Sequence, residues 1–159
     1  MAKRNVFYSF HFDKDVFRVQ QVRNMGVLVG DDPVSPNTWE EIKRTEQGVK
    51  DWINENLKRK TCLVVLIGED TANRKWVKYE IKRACELGVP VVGVRIHNVK
   101  CVNAGYGKKG PDPFAGLDLK WTDGTTYSPT VYNPDPDGAY KDINENLASW
   151  IETAILEVK

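Results

Sequence analysis

Two continuous apolar runs near the middle of the chain constrain its fold more than any other feature. The first run is TCLVVLIG at residues 61–68, and the second is VPVVGVRI at residues 89–96. An uninterrupted apolar run of this length is typical of a strand that is buried on both faces of a sheet. Because an amphipathic segment separates the two runs, the pattern indicates parallel strands that are joined by a helix.

The rest of the chain continues this alternation of strands and helices. We predict further strands at residues 3–11 and within residues 25–38, a short edge strand at Leu119–Thr122, and helices at residues 13–24, 39–58, 71–87 and 140–158. Glu69, Asp70 and Thr71 are the candidate N-caps of the third helix, which Gly88 and Pro90 bring to an end. The order predicts an α/β, flavodoxin-like, three-layer fold with helices on both faces of a mostly parallel sheet of strand order 2-1-3-4-5.

Length and charge limit the classes of protein that fit this chain. Its 159 residues suit a single domain, residues 1–159, with a loop-rich stretch at residues 97–136 before the last helix. With 23 basic and 22 acidic residues the net charge is +1, so no global field recruits nucleic acid or a membrane surface. No apolar run approaches the ~20 residues that a spanning helix needs, and we expect a cytoplasmic protein.

The familiar catalytic and cofactor motifs are missing from the sequence. Two histidines, His11 and His97, cannot form a multi-histidine metal site, and three cysteines without a CxxC pair argue against a cysteine metal site or a disulfide framework. The GYGKKG stretch at residues 105–110 lacks Walker spacing and reads as a surface loop. The first and third strands also lack the clustered carboxylates with which a receiver domain holds Mg²⁺. We therefore expect neither a metal nor a bound cofactor.

Glu80 is the one carboxylate that borders an apolar helix face, within NRKWVKYEIKRA at residues 73–84. Val77, Ile81 and Ala84 define the buried stripe at helical spacing, and Glu80 lies beside it. Periodicity alone favours a structural role, in which Glu80 pairs with Arg83 three residues later. The alternative is a partly desolvated, fixed carboxylate that carries chemistry. Both interpretations stay open at this point.

Four blocks of sequence carry a resemblance to a known family. They are AKRNVFYSFHFDKDVFRVQQVRN near the start, TWEEIKRT at residues 38–45, VVLIGEDTANRKWVKYEI at 64–81 and KGPDPF at 109–114. Together they resemble the TIR-like family, in particular the ThsB-type TIR proteins of Thoeris antiphage-defence systems. The resemblance implies the same fold that the strand and helix pattern predicts.

The resemblance also implies an activity. TIR enzymes of this kind cleave NAD⁺ at the nicotinamide–ribose bond, and Thoeris members cyclise the ADP-ribose into a messenger that activates a partner effector. NAD⁺ is then a substrate rather than a cofactor, and the catalytic glutamate of the family maps onto Glu80. One carboxylate is compatible with this chemistry, because it can stabilise the oxocarbenium character of the ribose while nicotinamide leaves as a neutral group.

Candidate substrate-binding residues follow from their predicted places in the fold. Ser9, Phe10 and His11 end the first strand, at the sheet edge where the Glu80 helix begins. In the functional interpretation Phe10 stacks on a ring of NAD⁺ and Ser9 or His11 bonds the ribose or phosphate. In the alternative interpretation Phe10 belongs to the core and His11 is a loop histidine with its own partner. The sequence leaves the two interpretations open.

Five further residues are weighed in the same way. Trp76 either walls the pocket or packs beneath its helix, one turn before Glu80. Asn24 and Trp39 flank the loop after the second strand and complete the candidate substrate-binding set. Arg18 or Arg23 either meets the pyrophosphate or is an exposed charge on a helix.

A second class of function also fits a TIR-like chain. A non-catalytic interaction module predicts an occluded Glu80 that is salt-bridged to Arg74 or Arg83, whereas an enzyme predicts an open cleft joining Phe10, Trp76 and Glu80. The resemblance adds that TIR enzymes often complete their sites across subunits, so a homo-oligomer is among the expected partners. A regulator resembling a receiver domain, without nucleotide affinity, is a third class.

Overall fold

The computed structural model describes residues 3–30, 43–101 and 105–158. Within these residues the strands are β1 Asn5–Ser9, β2 Val29–Gly30, β3 Cys62–Ile67, β4 Val91–Arg95 and β5 Thr130–Tyr132. The helices are α1 Phe12–Asn24, α2 Glu46–Leu57, α3 Lys75–Glu86 and α4 Ala139–Leu156, and a 3-10 turn at Thr71–Asn73 precedes α3.

The sheet has the order β2-β1-β3-β4-β5, and each neighbouring pair is parallel. This confirms the predicted order and the α/β, flavodoxin-like class. Ser9 lies opposite Val65 in the register, and Ile67 lies opposite Arg95. Because the strands run in one direction, their carboxyl ends meet at a single edge, which is where ligands bind in open α/β sheets.

An apolar cluster covers each face of the sheet. The first cluster packs α2 and α3 against one face and contains Phe7, Val65 and Ile81, among others. The second cluster packs α1 and α4 against the other face, with Val64 and Ile143 among its members. Since alternate residues of β3 serve the two clusters, all six of its residues are buried, which explains the continuous apolar run.

The observed helix starts differ from two of the predictions. Within the described part of the helix predicted at residues 39–58, the helix begins at Glu46, because Thr45 caps it: the Gly48 N–H donates to Thr45 Oγ1 at 2.9 Å. Residues 39–42 of that prediction lie outside the described residues. Thr71, by contrast, does not cap α3. Its Oγ1 accepts from the Gly68 N–H at 2.8 Å, and Thr71 begins the 3-10 turn that precedes the helix. The predicted end of α3 is confirmed, because Gly88 takes the left-handed conformation with a φ of 74°.

The predicted edge strand at Leu119–Thr122 is wrong, since the fifth strand is Thr130–Tyr132. Leu119 and Trp121 are buried in the first cluster, and Lys120 forms only an isolated antiparallel bridge with Thr126. The apolar pattern of this stretch therefore reflects a segment that covers the core rather than a strand of the sheet. The predicted packing role of the cysteines holds, because Cys62, Cys85 and Cys101 are buried and form no disulfide.

The hydroxyl of Tyr127 makes the backbone hydrogen bonds that a neighbouring strand would otherwise make to Val91, at the start of β4. It accepts from the Val91 N–H at 3.0 Å and donates to the Val91 carbonyl at 2.8 Å. We expect Tyr127→Phe to lower the free energy of unfolding by about 1–3 kcal/mol, because both buried backbone groups lose their partner. Urea denaturation measures the loss. Tyr106→Phe is the control, since that ring is 61% exposed, and equal effects in the two variants would contradict the prediction.

None of the helices in the described ranges combines the length and apolar character required to cross a membrane.

Candidate active site

Ser9 and Glu80 meet on the face of the sheet that carries the first cluster. Phe7 belongs to that cluster, so strand alternation directs Ser9, two residues later, to the same face. Glu80 reaches this face from α3, beside the buried Val77 and Ile81. Ser9 is 1% exposed. Ser9 Oγ and Glu80 Oε2 are both buried, and neither has a hydrogen-bond partner within the described part of the chain.

Burial changes the protonation of Glu80. Loss of solvation raises the pKa of its carboxyl to about 8, and the nearby Ser9 hydroxyl opposes this shift only in part. The Ser9 hydroxyl lies close enough to lower the pKa of the Glu80 carboxyl, but the two groups do not form a hydrogen bond of ordinary geometry. Glu80 therefore holds its proton to a higher pH than an exposed glutamate does.

The predicted pair between Glu80 and Arg83 is not formed. Arg83 instead donates from Nε to Asn54 Oδ1 at 2.8 Å and from Nη1 to Glu86 Oε2 at 2.8 Å. No cation forms an ion pair with Glu80 among residues 3–30, 43–101 and 105–158. The interaction-module alternative predicted a salt bridge from Glu80 to Arg74 or Arg83, and the described residues do not show it.

The raised pKa of Glu80 makes stability depend on pH. Between about pH 4.5 and pH 8 the unfolded chain loses this proton while the folded chain keeps it, so the free energy of unfolding falls as pH rises through that window. Glu80→Gln removes the effect. We expect the variant to gain on the order of 2–4 kcal/mol over the wild type between pH 4.5 and pH 8.

Urea denaturation of both proteins across this pH range measures the difference. Glu86→Gln provides the control, because the Glu86 side chain is 63% exposed and already paired with Arg83. A difference between Glu80→Gln and the wild type that stays constant with pH would contradict the expectation.

The structure separates Phe10 from Glu80. Phe10 packs against the second cluster, on the opposite face of the sheet from Ser9. His11 is 8% exposed and occupies the N-cap of α1, where its Nδ1 accepts from the Lys14 N–H at 3.4 Å. Of the three residues at the end of β1, Ser9 is therefore the one whose side chain is shown close to the Glu80 carboxyl.

Trp76 is half-buried against the first cluster, one turn before Glu80. Its ring meets that of Tyr79 edge to face at 5.7 Å, and Lys75 Nζ lies 4.9 Å from its centroid. A cavity of about 460 Å³ between α2 and α3 is lined by Trp76 together with Glu46, Lys50, Asn73, Lys75, Lys78, Tyr79 and Lys82. Neither Glu80 nor Phe10 lines it. This cavity is therefore not the expected cleft that joins Phe10, Trp76 and Glu80.

The structure shows no contact between Glu80 and the described residues Asn24, Arg18 or Arg23. Asn24 is exposed at the end of α1, roughly 20 Å from the start of that helix. Arg18 is buried and donates to the carbonyls of Val99 and Gly105, both at 2.9 Å, so it is not an exposed helix charge. Arg23 lies 5.9 Å from the ring centroid of Tyr8. Trp39 is outside the described residues.

Two buried charges at the same edge were not among the sequence candidates. Asp15 is 4% exposed, its pKa is raised by burial, and it accepts from Thr71 Oγ1 at 3.5 Å. Arg95 is 8% exposed and donates from Nη1 to the Gly110 carbonyl at 2.8 Å. A single arginine within the apolar run VPVVGVRI was a signal that could have identified Arg95. Across the described ranges, no group of three or more histidine, cysteine, aspartate or glutamate side chains could hold a metal ion.

A parallel sheet of order 2-1-3-4-5, with a half-buried glutamate on the helix after its third strand, is the arrangement expected of a TIR-like domain. The sequence profile described as "Thoeris protein ThsB, TIR-like domain" matches residues 7–101, a range that includes Ser9 and Glu80. The chain therefore belongs to the ThsB family of TIR-like domains.

The match to a curated relative covers more of the chain than the family profile does. The chain is 37% identical over 128 residues to ThsB1 of Bacillus cereus (strain MSX-D12), which is named as a proposed cyclic ADP-D-ribose synthase. The match covers 77% of this chain and 66% of the relative. The chain thus spans just under two thirds of the relative that it matches.

Proposed function

We propose that this protein is an antiphage-defence TIR enzyme that cleaves NAD⁺ at the nicotinamide–ribose bond. Its product is a cyclic ADP-ribose-type nucleotide, which activates a partner effector. Family membership and the name of the Bacillus cereus relative support the reaction class. The observation that carries the proposal is the half-buried Glu80, whose Oε2 atom is buried beside the Ser9 hydroxyl near the carboxyl edge of the sheet. Within the described residues, neither Glu80 Oε2 nor Ser9 Oγ has a hydrogen-bond partner.

Glu80 is the catalytic residue of the proposal. When the bond breaks, its electron pair goes to the ring nitrogen of nicotinamide, which leaves as a neutral molecule. Positive charge then moves to the anomeric carbon and ring oxygen of the ribose, and a fixed carboxylate stabilises it. The Ser9 hydroxyl, buried beside Glu80, is in a position to bond a ribose hydroxyl.

The second half of the reaction decides the product. A nucleophile within the same ADP-ribose closes the ring, whereas capture by water gives plain ADP-ribose. Exclusion of water and a folded substrate therefore favour the cyclic product. The other candidate substrate-binding residues, Phe10, His11, Trp76, Asn24 and Trp39, have no assigned role in these steps.

NAD⁺ turnover with mass analysis of the product tests the proposal. We expect loss of NAD⁺, release of nicotinamide and a product whose mass is that of ADP-ribose less one water. Purified protein is assayed over a range of concentrations, because TIR sites can form across subunits, and lysate from phage-infected cells is assayed in parallel. If NAD⁺ persists in both preparations, the enzyme proposal fails and the interaction module becomes the better description.

A further inference from the structure

The cavity of about 460 Å³ between α2 and α3 is a surface groove that combines aromatic rings with positive charge. We call it the α2–α3 groove and define it by the eight lining residues given above. Four lysines against one glutamate give this lining a net charge of +3, although the whole chain carries only +1. Trp76 and Tyr79 are half-buried and supply apolar surface between the lysines. The groove therefore suits a ligand that carries negative charge and an apolar group together.

The groove already contains one carboxylate. Glu46 lies in the first turn of α2 and pairs with Lys75. The hydrogen bond from Lys75 lowers the pKa of Glu46, and the nearby charge of Lys50 lowers it further. A carboxylate is thus the kind of anion that the lysines of this groove stabilise.

Two further lysines of the groove have no carboxylate. Lys78 and Lys82 are exposed, and neither forms an ion pair within residues 3–30, 43–101 and 105–158. Because they are four residues apart on α3, they share one helix face, with a rise of about 6 Å between them. In an extended peptide, side chains two residues apart point to the same side at a spacing of about 6.6 Å. Two acidic residues separated by one residue therefore match this pair of lysines.

The ring faces in the groove are covered by ammonium groups. Lys75 Nζ lies 4.9 Å from the ring centroid of Trp76, and Lys50 Nζ lies 5.7 Å from that of Tyr79. A nucleic-acid base stacks on a ring face, so it would have to displace these lysines. A carboxylate instead pairs with a lysine, and an aliphatic or aromatic side chain can pack beside the rings. The arrangement favours an acidic peptide over a single-stranded nucleic acid.

We propose that the α2–α3 groove binds an extended acidic segment of a protein partner, with alternate carboxylates on Lys78 and Lys82 and an apolar side chain beside Trp76 and Tyr79. Opposite charges draw the segment to the groove, and the apolar contact holds it there. Glu80 does not line the groove, so binding of such a partner does not depend on cleavage of NAD⁺.

Fluorescence anisotropy of a labelled synthetic peptide, measured with the full chain, tests the proposal. The probe has six glutamates, three on each side of two phenylalanines. We expect saturable binding that weakens as the salt concentration rises, because exposed charges are screened. A second probe with glutamines in place of the glutamates is expected to bind at least about 10-fold more weakly.

A double variant identifies the groove as the place of binding. Lys78→Gln combined with Lys82→Gln is expected to weaken binding of the acidic probe on the order of 3- to 30-fold, because two exposed ion pairs are lost. The matched control combines Lys108→Gln with Lys109→Gln, two exposed lysines that do not line the groove. We expect the control to stay within about twofold of the wild type. Urea denaturation shows that both double variants are folded.

Several results would overturn the proposal. Equal weakening in the two double variants would show a general attraction between charges, and equal binding of the glutamine probe would remove the role of the carboxylates. A labelled thymidylate oligonucleotide is the competing ligand. If it binds more tightly than the peptide and depends on Lys78 and Lys82, the groove binds nucleic acid instead. Absence of peptide binding at millimolar protein would also reject the proposal, whether or not NAD⁺ is cleaved in the turnover assay.

Discussion

Glu80→Gln is expected to reduce the rate of NAD⁺ cleavage by at least about 100- to 1,000-fold, the range observed when a fixed electrostatic stabiliser is removed from an active site. Glutamine has nearly the same shape as glutamate, but it cannot supply the negative charge that balances the developing oxocarbenium ion. The same change removes a half-buried ionisable group that has no ion-pair partner among the described residues, so we expect the variant to fold. Nicotinamide release under saturating NAD⁺ measures the effect on kcat.

The matched control for Glu80→Gln lies on the same helix. Glu86 is exposed and paired with Arg83, so Glu86→Gln makes the same chemical change outside the site, and its kcat is expected to stay close to that of the wild type. Unfolding curves of both variants show whether each is folded. A folded Glu80→Gln protein that keeps more than about a tenth of the wild-type rate would exclude Glu80 as the catalytic carboxylate.

Gly110→Ala is expected to cause the largest loss of stability among single methyl additions at the carboxyl edge of the sheet. A Cβ atom there would lie 2.0 Å from the Gly68 carbonyl oxygen and 2.8 Å from that of Glu69. Both are backbone atoms, so the segment around Gly110 must move, which also disturbs the bond from Arg95 to its carbonyl. We expect a loss of about 3 kcal/mol in the free energy of unfolding.

Thermal and urea denaturation measure this loss, which corresponds to a decrease in Tm of roughly 6–12 °C for a chain of this size. Gly138→Ala is the control, since no atom lies within 4 Å of a Cβ at Gly138 and the φ of −163° suits any residue. Gly138 precedes the first turn of α4, so alanine there is expected to change stability by less than about 1 kcal/mol. Equal losses in the two variants would show that close packing at Gly110 is not the cause.

The strand order could be predicted because strands that are buried on both faces can be recognised from the sequence alone. β3 and β4 are covered on both sides, so each reads as a continuous apolar run, and the helices between them fix a parallel connection. β5 has no such signature. Its three residues are exposed or half-buried, whereas the apolar residues at 119–121 belong to a segment that covers the first cluster.

The candidate site was predictable in part for the same reason. Helical periodicity placed Glu80 at the border of the buried stripe, and the end of β1 brought Ser9 to it. Strand alternation also separates Phe10 from Ser9, although a residue just beyond a strand need not follow that alternation. Two contacts could not be read from spacing. Arg83 donates to Asn54 and Glu86 instead of Glu80, and Thr71 accepts from the Gly68 N–H instead of capping α3. Tertiary packing decides between partners that are equally near in sequence.

The two apolar clusters also differ in the order in which they can be completed during synthesis. The fully buried members of the first cluster all precede β5, so most of that face of the sheet can be buried once Tyr127 has been made, and Val131 of β5 packs against it soon afterwards. The second cluster needs Ile143, Leu147 and Ile151 of α4, and the exposed pair between Arg4 and Glu152 likewise joins distant parts of the chain. A nascent chain therefore has one largely buried face and one open apolar face until α4 leaves the ribosome, and that interval is when it is most exposed to aggregation.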